Sequence, residues 1–150
     1  MGKMNVPRII LGGVVAGILC FIGDGVVHGV LLRDRWVQVM ASLGRRAVEE
    51  QPVHMVYYAV YDLAKAMIGV WLYAAIRPRF GPGGRTAVIA AVVTWALVIP
   101  IALLGLIPSG FFGRRFALLW SIEGLVVMLI AIVIGAWLYR EDQSASPAKS

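Results

Sequence analysis

Residues 9–32, IILGGVVAGILCFIGDGVVHGVLL, decide how the rest of the chain is read. As a helix, this run is long enough to cross a hydrocarbon core of roughly 30 Å at about 1.5 Å per residue. Inside it a carboxylate, Asp24, and an imidazole, His28, stand one helical turn apart. Ionisable groups are costly at membrane depth, so such a pair marks a functional site by default. Lys3 and Arg8 precede the run as they would in a signal peptide, but no small-x-small cleavage pattern follows it. The segment is therefore expected to stay as a membrane helix.

Three more apolar runs, 53–76, 86–107 and 116–139, have the same character. A barrel strand would need only about ten residues and would alternate polar with apolar, so strands are not expected. The composition agrees: 60% of the 150 residues are hydrophobic and 15% charged, with a mean hydropathy of +0.82. That is outside the range of an ordinary soluble domain. The expected fold is an all-α membrane protein, an antiparallel four-helix transmembrane bundle over residues 1–140 with a disordered tail at 141–150. The single cysteine, Cys20, excludes an internal disulfide or a CxxC redox centre.

The connections differ in kind. Arg77-Pro78-Arg79-Phe80-Gly81-Pro82-Gly83-Gly84 and the stretch from Pro108 to Arg115 carry the proline and glycine of abrupt turns. The first connection, residues 33–52, is longer. In it Trp36, Val37, Met40 and Leu43 recur at helical spacing beside Arg33, Arg35, Arg45 and Arg46, the pattern of a short amphipathic helix lying in the membrane interface.

The net charge of +6 would suggest nucleic acid in a soluble protein. Here the basic residues sit at the ends of apolar runs, where they set topology and meet lipid headgroups, so no nucleic-acid partner is expected. Lys3, Arg8, Arg77, Arg79, Arg85, Arg140 and Lys149 fall on the amino-terminal face, and Arg33, Arg35, Arg45, Arg46, Arg114 and Arg115 on the other. This near balance leans only slightly toward cytoplasmic termini. The tryptophans, with Tyr57, Tyr58, Tyr73 and Tyr139, are expected in the aromatic belts.

The chemistry is expected in one layer. Counted inward from the face of the first and third connections, Asp24, Asp62 and Glu123 all lie about 10–13 Å deep, and Pro100 reaches that level on the remaining helix, where it frees a backbone carbonyl. Gly13, Gly17, Cys20, Asp24 and His28 share one helical stripe; His54, Tyr58, Asp62, Lys65, Gly69 and Tyr73 share another. The two stripes are expected to face each other, Gly13 and Gly17 allowing close approach. Gly25 and Gly29 offer a second small surface for another helix or subunit. Asp62 and Lys65 can pair within their helix, leaving Asp24 and Glu123 to His28 or to a partner from outside. His54 is expected to be an ordinary interfacial histidine. Asp24, His28 and Glu123 are side chains of metal-ligating type, and His28 with His54 could serve as axial haem ligands, but neither a metal nor another cofactor is expected.

In residues 72–83, LYAAIRPRFGPG, and in the Asp24 and His28 pair, the chain resembles small four-span bacterial membrane proteins over most of residues 8–140. The resemblance implies the four-helix fold and a bacterial inner membrane, and brings with it no activity and no catalytic residues.

Two functions follow as expectations. One is a transport or permeation protein that moves a proton or cation through the layer of Asp24, His28, Asp62, Lys65 and Glu123, as a homo-oligomer in the lipid bilayer. The other is a non-enzymatic accessory or assembly subunit of a larger membrane complex. An enzyme is less expected, because no nucleophile and base are placed together by the pattern.

Overall fold

The computed structural model describes residues 4–44, 52–111 and 113–140. The expected tail at 141–150, and Arg45 and Arg46 of the expected amphipathic segment, lie outside the described residues. The chain runs through α1 (Val6–Val26), which continues as a π-helical turn (Val27–Leu31), then α2 (Arg33–Ser42) and α3 (Pro52–Phe80). It goes on through α4 (Gly84–Val98), α5 (Pro100–Leu106) with a 3-10 turn (Ile107–Ser109), and α6 (Arg114–Trp137). No strand occurs among the described residues. Four stretches, Val6–Leu31, Val53–Phe80, Gly84–Ser109 and Arg114–Trp137, are long and apolar enough to cross a membrane.

The helix ends follow local chemistry more than hydropathy. The Asn5 side chain accepts from the Arg8 backbone N–H at 3.1 Å, an N-terminal cap that starts α1 before the apolar run does. α3 does not stop before Pro78, as the turn-rich sequence suggests, but carries it inside its last turns to Phe80. A proline so near the end costs little more than one hydrogen bond, and the Gly81 N–H still reaches Arg77 O at 2.9 Å. The reversal is left to Gly81 and Gly83, at φ of 83° and 123°, a region open to glycine. The third apolar run is not one helix: it breaks at Ile99 before Pro100, because proline has no N–H to continue the ladder. α6 starts two residues before its apolar run and ends two before the run's end.

Packing is built from small residues. α1 contacts α3 and α6, and α4 contacts the same two helices. Gly12, Gly13, Ala16, Gly17 and Cys20 are the buried face of α1 together with Ile9, and α4 buries Ala87, Ala90 and Ala91 between Thr86 and Thr94. Large apolar side chains such as Ile10, Ile18, Ile22, Leu97, Leu118, Ile122, Val126 and Ile130 point outward. Small inside and large outside suits helices solvated by lipid, where close backbone approach replaces the hydrophobic drive.

Candidate functional site

The polar layer has a lysine at its hub. Lys65 Nζ bonds Asp24 Oδ2 across the α1–α3 contact and Asp62 Oδ1 at 2.8 Å within its own helix. Lys65 and Asp62 are each 2% exposed, so no water shell substitutes for these contacts. The same ammonium lies 5.1 Å from the Tyr61 ring centroid, a cation–π distance. Cys20 is buried one turn before Asp24 on α1. The expectation that Lys65 serves Asp62 alone is therefore corrected: the long lysine stem reaches both carboxylates, and Asp24 has a fixed cation.

His28 and Glu123 form the second unit. His28 Nε2 and Glu123 Oε1 are 2.8 Å apart, joining α1 to α6. Asp24 and His28, which α-helical spacing would put on one face, turn to different helices. The π-helical turn that contains His28 takes up the difference, with the Leu32 N–H reaching Val27 O at 2.7 Å; such turns recur at functional sites. The three carboxylates therefore divide into an Asp24–Lys65–Asp62 group and a His28–Glu123 pair.

Trp36, from α2, sets the state of that pair. Its Nε1–H donates to His28 Nδ1 at 3.0 Å. An indole nitrogen can only donate, so Nδ1 is the bare nitrogen of the ring, and the ring's one proton sits on Nε2, directed at Glu123. The ring lies 5.8 Å from Trp36 and 5.5 Å from Trp120 between centroids, and the two indoles are 5.4 Å from each other, so the three rings form a triangle; Phe116 lies 4.9 Å from Trp36. Trp36 and Trp120 were expected in the aromatic belts. What distinguishes them is a contact between distant parts of the chain, and no spacing pattern shows that. The rest of the layer is held from α4, where Trp95 Nε1–H donates to Ser121 O at 2.8 Å. The Ile99 side chain at the Pro100 break occupies the space over Gly124, beside Glu123.

Two atoms in the layer are not satisfied. Asp24 Oδ1 and Glu123 Oε2 are buried without a hydrogen-bond partner among the described residues. Taken as ionised, Asp24, Asp62 and Glu123 outnumber the one ammonium of Lys65, and His28 in its Trp36-bound form adds no charge. No group of three or more His, Cys, Asp and Glu side chains suited to holding a metal ion occurs among the described residues. His54 lies in the first turns of α3, about two turns before Asp62. Gly13 and Gly17 lie against Met67 and Leu63 of α3, whereas Gly25 and Gly29 face open space.

A conservative variant separates Trp36's hydrogen bond from its bulk. Trp36→Phe keeps a ring in the cluster and removes the donor. We expect a stability loss of about 1 kcal/mol and a loss of the single His28 tautomer, read from side-chain 15N shifts of histidine-labelled protein in a His54→Gln background. Identical Nδ1 and Nε2 shifts with and without the indole would show that Trp36 does not set the tautomer.

Comparison of the chain with protein-family models, with curated proteins and with solved structures gave no match in any of the three.

Proposed function

We propose that this protein is a small proton- or cation-linked membrane transport or permeation protein whose exchange site is the layer of Asp24, His28, Asp62, Lys65 and Glu123. In this reading the four spans form an antiparallel bundle in a bacterial inner membrane, with both termini cytoplasmic and α2 lying in the interface as a cover over His28. The bundle works as a homo-oligomer, since four helices alone enclose little room for a path. One observation carries the reading: Asp24 Oδ1 and Glu123 Oε2 are buried and unpartnered in a layer where carboxylates outnumber cations. A buried carboxylate oxygen without a donor is costly, and an arriving proton or monovalent cation relieves that cost. The two groups would be loaded and emptied in turn, with the Nε2 proton of His28 aimed at Glu123.

The test is a pH-gradient assay in reconstituted vesicles containing a pH-sensitive dye. Glu123→Gln and Asp24→Asn should lower the protein-dependent signal to that of empty vesicles while each variant still elutes as the wild type does. Full signal from both variants would sink the relay. A second reading, an accessory subunit, is favoured by the open face at Gly25 and Gly29; it expects a stoichiometric membrane partner after gentle purification and no flux of its own.

A further inference from the structure

A second feature lies outside the polar layer. A cleft of about 330 Å³ opens between α2 and the start of α6, within the size range of ligand sites. Its rim carries Arg35, Gln38 and Ser42 from α2 and Arg115 from α6, and its floor is apolar, with Phe116 and Leu119. It lies where the chain leaves the first span, which ends at Leu31, and enters the fourth, which begins at Arg114. That is the boundary between hydrocarbon and headgroup in a membrane-spanning reading.

Among the described residues, charge at this end is lopsided. Arg33, Arg35, Arg114 and Arg115 are all exposed there, with Asp34 as the acidic residue on α2. Neither Arg35 nor Arg115 forms an ion pair among the described residues. Guanidinium groups present paired N–H donors that match two oxygens of a phosphate. Gln38 adds amide donors, and at the start of α6 the Arg114 and Arg115 N–H groups precede the first backbone bonds, which Phe116 and Ala117 make to Gly113 O. An anion with an apolar stem fits this arrangement: charge on the rim, hydrocarbon against Phe116 and Leu119. A free inorganic anion would leave that floor uncovered.

We propose that this cleft binds the phosphodiester headgroup of an anionic phospholipid. The inference rests on the chain spanning a membrane and is independent of the proton-linked reading of the carboxylate layer. Because Phe116 forms the floor and also packs on Trp36, the bound lipid would sit directly outside the cover over His28.

The experiment is native mass spectrometry of delipidated wild-type protein titrated with phosphatidylglycerol and, separately, phosphatidylcholine of the same acyl chains. The wild type should prefer phosphatidylglycerol. Arg35→Gln with Arg115→Gln should reduce that preference by about five-fold for each arginine removed. Arg79→Gln with Arg85→Gln, the same charge change at other helix ends, should leave it intact. No preference in the wild type, or equal losses in the two double variants, would overturn the proposal. Displacement of the lipid by excess inorganic phosphate alone would reassign the cleft to a free anion and overturn it as well. Each variant is first shown to elute and melt as the wild type does, and Arg35→Lys with Arg115→Lys, which keeps the charge and loses the planar fork, should give an intermediate preference.

Discussion

Replacing Lys65 with Met is expected to destabilise the protein by about 3–5 kcal/mol, the usual cost of breaking a buried ion pair by deleting one partner. Lys65 Nζ holds Asp24 and Asp62 together, and with it gone two carboxylates face each other across the α1–α3 contact with no cation and little water. The size of the effect comes from the groups left behind more than from the bond lost. Restoring charge balance should therefore recover most of it: Lys65→Met combined with Asp24→Asn and Asp62→Asn is expected to regain more than half of the loss, because amides can hydrogen-bond each other where carboxylates repel. Reversible unfolding in mixed micelles measures all of these variants. A single Lys65→Met variant within 1 kcal/mol of the wild type would show that the ammonium is not what holds the layer together.

The second large effect is steric. Gly12 meets Gly135 where α1 crosses α6, and a Cβ on Gly12 would fall on the Gly135 carbonyl, with a Val70 methyl at 3.2 Å. A backbone carbonyl cannot turn aside as a side chain can. Gly12→Leu is expected to cost at least the 1–3 kcal/mol typical of overpacking, and to part α1 from α6. Gly25→Leu is the internal control, since nothing lies within 4 Å of a Cβ there. It should stay within about 0.5 kcal/mol of the wild type, helped by leucine's better helix propensity. Equal melting of the Gly12 and Gly25 variants would contradict the close crossing. The control also bears on the accessory reading: loss of a copurifying partner from Gly25→Leu, with stability unchanged, would identify that face as the docking surface.

The sequence makes the four spans legible because each is a long apolar run, and burial in lipid imposes that signal on every residue. Helix ends are less legible. Pro78 and Pro100 look alike as helix breakers, yet one is carried within the last turns of α3 and the other breaks its span. The difference is position: the ladder has little left to lose at Pro78 and much at Pro100. For the site, depth counting groups Asp24, Asp62 and Glu123, but partner choice depends on which face each side chain presents. The π-helical turn at His28 shifts that face without any local sequence mark. By its place near a span's end, Trp36 reads as a residue of the membrane belt. Its indole hydrogen bond depends on α2 lying against the π-helical turn, with Trp36 against Phe116 and Trp120 of α6. The crossing glycines, Gly12 and Gly135, were likewise hidden among seventeen glycines, since a small residue reveals nothing alone about what lies opposite.

Cys20 gives the layer a built-in chemical clock. It is the chain's one cysteine, it is fully buried, and it lies a single turn from Asp24 on α1. Alkylation by a small permeant maleimide can therefore proceed only while α1 and its neighbours are transiently apart at that depth. The labelling rate of the unmodified protein follows the population of that open state when reclosing outpaces alkylation, and its change with lipid or partner would report the breathing of the charged layer without a single engineered residue.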